Sequence, residues 1–178
     1  MAHTKTEVSR WATSRSDKTA PVIIEGKYYK LGGFTATTTD HVAIGDLVVM
    51  TANKVDEIEY CADNTNPFGI VLDTAHNWAE LEVNNPGVAL TKELYFNDTS
   101  LIDVAIPLPG TIVSVKIEAS GPTFEFWGPL KAGATGSAYQ SDDTSHVIGH
   151  ALAYVTAGTG TDAVAMYWAG CSLSTKAD

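Results

Sequence analysis

The sequence lacks most features of a secreted or membrane-spanning protein. Its 178 residues include two cysteines, Cys61 and Cys171, and both stand beside small or apolar residues. Two reduced, partly buried thiols are therefore favoured over a disulfide. No stretch approaches the roughly 20 consecutive apolar residues that a transmembrane helix needs. Residues 1–20 are polar throughout, so export through a signal peptide is not expected.

Charge is scarce and unevenly distributed. Charged residues make up 18% of the chain, against about 25% in an average soluble protein. Residues 1–30 contain six basic and three acidic residues, whereas the remaining 148 contain five basic and eighteen acidic ones. This acidic body disfavours nucleic-acid binding. The uneven distribution of charge instead indicates that the basic segment binds copies of the same chain or an acidic partner surface.

The basic segment is predicted to be a flexible N-terminal arm over residues 1–20. Ser, Thr, Lys and Arg dominate it, and no helical or alternating pattern persists. Residues 21–178 then form a single β-rich domain. Because an aromatic side chain in a solvated tail would have no role, Trp11 favours docking of the arm on a partner. The candidate partner-binding residues are Arg10, Trp11, Arg15 and Lys18.

Patterns of nucleophilic catalysis and phosphate binding are missing. No serine stands in a Gly-x-Ser-x-Gly turn, and Cys61 belongs to no paired motif. The glycine-rich stretches at 133–136 and 158–161 lack the Lys-Ser/Thr that a phosphate loop requires, so both are predicted to be turns. We therefore expect neither enzymatic activity nor a cofactor.

A metal site has weak support. His146 and His150 are four residues apart beside Asp142 and Asp143, but the segment has the pattern of a loop and a strand. Without a cysteine pair or a third nearby histidine, ordinary surface or core histidines are favoured, and we expect no metal site.

The chain does contain a succession of short strand patterns, spaced by Gly, Pro and Asn turns. The first two are predicted to form a hairpin around Gly26-Lys27. The spacing predicts an all-β fold, an antiparallel β-sandwich or a small β-barrel, and long amphipathic helices for a doubly wound fold are lacking. The principal strand candidates are Pro21–Glu25, Tyr28–Leu31, Leu47–Thr51, Val55–Ala62, Phe68–Leu72, Trp78–Val83, Val88–Phe96, Leu101–Leu108, Thr111–Ile117 and Ala163–Ala169.

One pattern occurs twice, at about 42–83 and 129–169. Each copy has a strand beside a Gly turn and, after a polar gap, an apolar strand containing a glycine, namely Gly69 or Gly149. A glycine inside an apolar strand lets another backbone approach closely. The repetition indicates a scaffold built from strands.

Eight aromatic residues in the body are candidates for an exposed sugar-stacking platform. The alternative, packing in the core and between subunits, is favoured because aromatics dominate such packing. The residues are Trp78, Phe124, Phe126, Trp127, Tyr139, Tyr154, Tyr167 and Trp168.

Over the two repeated segments the chain resembles the capsid decoration, or cement, proteins of tailed viruses. The shared pattern is an aliphatic-x-Gly-Asp strand followed by Pro-Phe-Gly-Ile-Val-Leu, with a weaker second round of Leu-x-Ala-Gly and Val-Ile-Gly-x-Ala-Leu. The insertion from Val88 to Phe126 and the basic arm fall outside it. The matching residues are Gly45, Asp46, Val48, Val49, Pro67, Phe68, Gly69, Ile70, Val71, Ala75, Ala132, Gly133, Ile148, Gly149, Ala151 and Leu152.

The resemblance implies a structural virion protein on the surface of a bacteriophage head, made in the host cytoplasm. Such a protein would form a homotrimer and stabilise the head by bridging neighbouring subunits of the major capsid protein. It would need no catalytic residue, cofactor, nucleic acid or membrane. The alternative is a glycan-binding β-module displayed on a particle surface.

Overall fold

The computed structural model describes residues 13–14, 21–37, 41–52, 54–63, 65–118, 123–140, 145–153 and 162–170. Within these residues the chain forms twelve strands, one α-helix (α1, Ala75–Asn84) and a short 3-10 turn at Ala134–Gly136. The all-β prediction is confirmed. The strands are β1 Thr13–Ser14, β2 Ile23–Glu25, β3 Tyr28–Ala36, β4 Leu47–Met50, β5 Glu57–Tyr60, β6 Gly69–Val71, β7 Ile102–Pro107, β8 Ile112–Lys116, β9 Pro129–Ala132, β10 Ala138–Gln140, β11 Gly149–Ala151 and β12 Asp162–Trp168.

The strands divide between an open sheet and a closed barrel. The open sheet is antiparallel in the order β10-β9-β11-β12-β8-β2, and β1 pairs with β12 on the side where β11 lies. The barrel closes in the order β3-β5-β4-β6-β7, with one parallel pair between β3 and β5. The small β-barrel, one of the two alternatives named from the sequence, is thus present beside an open antiparallel sheet, and the two sheets of the described residues do not form a β-sandwich.

Buried apolar residues of the sheet and the barrel form one continuous cluster. Ile44, Leu47 and Ile70 contribute from the barrel side, while Leu130 and Trp168 contribute from the sheet. A backbone bond also joins the two parts, because the Gly136 amide donates to the Cys61 carbonyl at 3.1 Å. Burial of this shared apolar surface is the main stabilising term of the fold.

The predicted hairpin over residues 21–31 is wrong. β2 pairs with β8 in the sheet, whereas β3 pairs with β5 and β7 in the barrel, so the chain crosses between the two parts at Gly26-Lys27. Gly26 has a φ of 114° and lies against Thr111, whose hydroxyl donates to the Lys27 carbonyl at 2.6 Å. These contacts fix Gly26-Lys27 as a connection between the sheet and the barrel. A two-residue hairpin turn would instead pair β2 with β3.

The predicted strand Trp78–Val83 is also wrong, because these residues belong to α1. Thr74 caps the helix by accepting a hydrogen bond from the Asn77 amide at 3.2 Å. Asn77 and Leu81, four residues apart, are fully buried, which is the spacing of one helix face. Val83 is 76% exposed on the other face. The region Val88–Phe96 likewise forms turns and a single bridge from Tyr95 to Ala43, not a continuous strand.

Asn77 ties α1 to the barrel. Its Nδ2 donates to the carbonyls of Leu72 and Asp103 at 2.7 and 2.9 Å, and its Oδ1 accepts from the Asp103 amide at 2.8 Å. Asp103 in turn accepts from Thr74 at 2.7 Å and pairs with Lys30 at 2.9 Å. Burial alone would raise the pKa of Asp103, but these two hydrogen bonds and the charges of Lys30 and His76 outweigh it and hold the pKa below its ordinary value.

Replacing Asn77 with alanine is expected to lower the free energy of unfolding by about 3 kcal/mol, because buried backbone groups of Leu72 and Asp103 lose their partners. Chemical denaturation measures the change. Val83→Ala in the same helix is the control and should change stability by less than about 0.5 kcal/mol. Equal effects of the two substitutions would contradict the role of the Asn77 network.

The two segments that carry the repeated pattern have the same local strand order. In the first, β4 lies between β5 and β6, and in the second, β9 lies between β10 and β11. The glycine strands then pair with β7 and β12, respectively. A Cβ on Gly69 would overlap the Ala105 carbonyl, and a Cβ on Gly149 would overlap the Tyr167 carbonyl. Both glycines therefore permit a close backbone approach, as expected from the sequence.

Candidate functional site

The most prominent exposed feature of the open sheet is a group of rings, which we name the aromatic patch and define as Phe126, Trp127, His150 and Tyr167. Trp127 lies at its centre and stacks on His150 with a centroid distance of 4.8 Å and an interplanar angle of 7°. Its ring also contacts Tyr167 at 5.5 Å and Phe126 at 6.4 Å. Trp127 is 51% exposed, so a large apolar surface faces solvent in a fixed orientation.

The backbone of Trp127 adopts a conformation that a bulky residue rarely takes, with a φ of 65°. Hydrogen bonds hold it there: the Trp127 amide donates to the Ala151 carbonyl at 2.6 Å, and the Ala151 amide donates to the Gly128 carbonyl at 2.9 Å. Such conformations cost about 1–3 kcal/mol and are concentrated at functional sites. The fold therefore sustains a cost in order to present this ring.

Two polar groups around the patch are engaged within the chain. The Gln140 side chain accepts from the Glu125 amide at 2.6 Å and lies directly over Gly128, where a Cβ would overlap it. The His150 Nδ1 lies 3.3 Å from the Trp127 carbonyl oxygen. The patch thus offers ring surface of the kind that is enriched at protein interfaces.

The eight aromatic residues singled out in the sequence separate into two groups. Phe124 and Trp168 are buried in the core, and Trp78 packs against it. Phe126, Trp127 and Tyr167 come together in the aromatic patch. Tyr139 is half-buried in β10, and Tyr154 lies outside the described residues.

Sequence reasoning missed His150 as a member of the patch, since it was considered only as a metal ligand. The signal was its position beside Gly149: β11 pairs with β12 so that His150 faces Tyr167. His146 has a φ of 57° in the preceding turn, and Asp142 and Asp143 lie outside the described residues. Within the described part of the chain, no three His, Cys, Asp or Glu residues are placed to hold a metal ion.

The four candidate residues of the arm, Arg10, Trp11, Arg15 and Lys18, lie outside the described residues. Between them, Thr13 and Ser14 form β1 and pair with Ala163 and Asp162 of β12. The backbone of the arm is therefore attached to the same strand that carries Tyr167. The role of the four side chains stays a prediction.

Cys61 is buried in the barrel. Burial raises its pKa, although a hydrogen bond with the Thr65 hydroxyl at 3.2 Å acts in the opposite direction. A neutral, enclosed thiol is a poor nucleophile. Cys171 lies outside the described residues, so the state of the cysteine pair stays a prediction. None of the helical residues described here forms a segment long and apolar enough to span a membrane.

Comparison with known proteins finds a structural neighbour. The fold is similar to that in the crystal structure of the head fiber gp8.5 N base in bacteriophage phi29, with a TM-score of 0.52 and 18% sequence identity. The similarity covers 83% of this chain and 98% of that chain. No protein-family model matches the chain, and no curated protein matches it significantly in sequence.

The neighbour shows that this chain has the fold of a bacteriophage head protein. The resemblance to head-associated viral proteins seen in the sequence is thus confirmed at the level of the fold. At 18% identity the similarity concerns the arrangement of strands, not the side chains of a site.

Proposed function

We propose that this protein is a structural, non-enzymatic component of a bacteriophage head, located in the virion and bound to the major capsid protein. The observation that carries the proposal is the fold shared with the head fiber base over 98% of that chain. The resemblance of the two repeated segments to decoration proteins supports the same role. The lack of a catalytic motif in the sequence agrees with it.

The proposed mechanism is stabilisation by binding. A protein that binds the assembled head but not its free subunits shifts the equilibrium toward the head. If each copy bridges neighbouring capsid subunits, contacts that are individually weak become effective because many copies act together. Such a role requires exposed, well-ordered contact groups rather than a reactive cleft.

The aromatic patch is the contact surface that we assign to the major capsid protein. Exposed tryptophan and tyrosine side chains that are fixed before binding lose little conformational freedom when they are covered. They are also the residue types that most often dominate interface energies. Trp127, stacked on His150 and held at a positive φ, is the central residue of this surface.

The basic arm is the second proposed contact. The body carries far more acidic than basic residues, whereas the arm contains Arg10, Arg15 and Lys18. These basic side chains can pair with an acidic surface on the partner. Trp11 adds an apolar anchor. Thr13 and Ser14 of the arm pair with β12.

Self-association, predicted as a homotrimer, has a candidate edge on the barrel. β3 pairs with β7 through Tyr28–Leu31, but its opposite edge pairs with β5 only at Thr35 and Ala36. Within the described residues, the edge of β3 that faces away from β7 has no strand partner over residues 28–33. Tyr29 in this segment is 62% exposed. Exposed strand edges readily accept another chain, and mass photometry of the purified protein measures the resulting oligomer.

Reversing the charge of the arm tests the proposed function. We expect the triple variant Arg10→Glu, Arg15→Glu and Lys18→Glu to bind at least about tenfold more weakly to heads assembled from the major capsid protein of the same phage. The salt dependence of binding should fall with it, because fewer ion pairs form. Sedimentation of heads with labelled protein measures the occupancy.

Lys27→Glu, an exposed lysine beyond the arm, is the control and should leave occupancy unchanged. Unchanged occupancy of the triple variant would remove the arm from the mechanism. Failure of the unmodified chain to bind these heads would contradict the proposed function itself.

A further inference from the structure

A second surface, distinct from the aromatic patch, is a polar cleft of about 330 Å³ between the end of α1 and the segment 95–98. Its volume lies at the lower end of the roughly 300–1,000 Å³ typical of small-molecule sites. We name it the asparagine cleft. Its principal lining residues are His41, Asn84, Asn85, Tyr95, Asn97 and Asp98.

The walls of the asparagine cleft are fixed by hydrogen bonds. Asn97 Nδ2 donates to Asn84 Oδ1 at 2.6 Å, Asn84 Nδ2 donates to Ser100 Oγ at 2.6 Å, and Ser100 Oγ donates to Asn97 Oδ1 at 3.0 Å. This closed ring of three bonds joins the end of α1 to the loop. A wall that is ordered before binding reduces the entropy that a ligand must overcome.

An aromatic ring forms the other side of the cleft. Tyr95 is 51% exposed, and its ring packs against His41 with centroids 4.9 Å apart. The backbone on each side is anchored, because Tyr95 bridges to Ala43 and the Phe96 amide donates to the Val42 carbonyl at 2.9 Å. The ring face is thus presented in a set orientation, which suits stacking against a flat, partly apolar ligand.

Polar groups that can reach a ligand remain next to that ring. Among the described residues, the Asp98 carboxylate, the Tyr95 hydroxyl and Asn85 Oδ1 have no hydrogen-bond partner, while Asn85 Nδ2 is engaged with the Leu81 carbonyl at 3.0 Å. Two of these three groups are acceptors only, and the third can donate or accept. The cleft therefore offers hydrogen bonds to a ligand that carries hydroxyl donors.

The electrostatics of the cleft select against an anion. Asp98 contributes a negative charge, and the cleft lies at the C-terminal end of α1, where the helix dipole is negative. No lysine or arginine is among the lining residues. A ligand with several hydroxyls, one apolar face and no negative charge fits these conditions.

We propose that the asparagine cleft binds a neutral saccharide, with a pyranose ring packed on Tyr95 and its hydroxyls donating to Asn85 and Asp98. This activity goes beyond a structural role in the head and does not depend on it. It also places glycan binding in the barrel, whereas the sequence had offered eight aromatic residues of the body as a sugar-stacking platform, with packing favoured for them.

Calorimetric titration of the full-length chain tests the proposal, with methyl glucoside, methyl galactoside and N-acetylglucosamine as neutral probes. Sialic acid and glucosamine are the anionic and cationic probes. We expect at least one neutral sugar to bind with a dissociation constant of about 1 mM, as suits a ligand of this size. Tyr95→Ala should weaken this binding at least about tenfold, whereas Tyr95→Phe should retain most of it.

Two further variants test whether the sugar binds in the asparagine cleft. Asp98→Ala should weaken binding without unfolding, because the side chain is exposed, and circular dichroism checks the fold. Trp127→Ala, in the aromatic patch, should leave sugar affinity unchanged. The proposal is overturned if no neutral probe binds, if sialic acid binds more tightly than the neutral sugars, or if Trp127→Ala abolishes binding while Tyr95→Ala does not. Tighter binding of glucosamine would agree with the negative charge of Asp98. Head occupancy of Tyr95→Ala is measured separately, so failure of one proposal is distinguishable from failure of the other.

Discussion

Replacing Gly69 with alanine should lower the free energy of unfolding by about 3 kcal/mol, a large share of the roughly 5–15 kcal/mol that holds a domain folded. The new Cβ would overlap the Ala105 carbonyl oxygen and stand 2.8 Å from Val104 Cγ1. Neither can retreat easily, because β6 and β7 are hydrogen-bonded at Ile70–Ala105. Chemical denaturation monitored by circular dichroism measures the loss.

Gly149→Ala is expected to have a similar effect in the second segment, since its Cβ would overlap the Tyr167 carbonyl and lie 2.7 Å from Met166 Cγ. The matched control is Gly87→Ala. Gly87 has a φ of 78° and nothing within 4 Å of an added Cβ, so alanine there should cost only the backbone preference of about 1 kcal/mol. A loss at Gly87 as large as at Gly69 would mean that close strand approach is not what requires glycine.

Trp127→Ala should weaken binding to phage heads by at least about tenfold, and up to several hundredfold if Trp127 dominates the interface. Alanine removes the stacked ring but retains a Cβ, so the backbone at φ 65° keeps a similar strain and the scaffold is preserved. The substitution should also lower stability by about 1–3 kcal/mol, because roughly half of the ring surface is packed, so circular dichroism checks that the variant is folded. Surface plasmon resonance with immobilised heads measures the dissociation constant.

Tyr95→Ala provides a matched control, because Tyr95 is an aromatic side chain with the same 51% exposure on the barrel. It should bind heads as tightly as the unmodified chain. Equal losses for both variants would indicate that any exposed ring contributes, and unchanged binding of Trp127→Ala would exclude the aromatic patch as the contact with the head.

Most strands were predictable because their apolar runs are short and bounded by turn residues. Phe68–Leu72 and Thr111–Ile117 correspond closely to β6 and β8. The helix was missed because Trp78, Leu81 and Val83 also fit a loose alternation. The stronger evidence was the Thr74 cap and the polar Asn77, whose burial depends on backbone groups of Asp103 far along the chain.

The connections and the sites were harder to predict. Nothing in Gly26-Lys27 distinguishes a hairpin turn from a crossing between sheet and barrel, since the outcome depends on contacts with Thr111 and β8. The aromatic patch combines one loop, which carries Phe126 and Trp127, with the strands β11 and β12. The register of β11 on β12 places His150 opposite Tyr167. The asparagine cleft likewise joins His41 to Asp98 through tertiary contacts that local patterns do not contain.

The position of β12 in the open sheet has a consequence for biosynthesis. This strand is the last of the described strands, yet it lies between β8 and β11 and also carries β1. The sheet is therefore completed only after residues 162–168 have left the ribosome. Until then β8 and β11 keep open edges that can pair with other nascent chains. A polypeptide released early would thus be prone to aggregate.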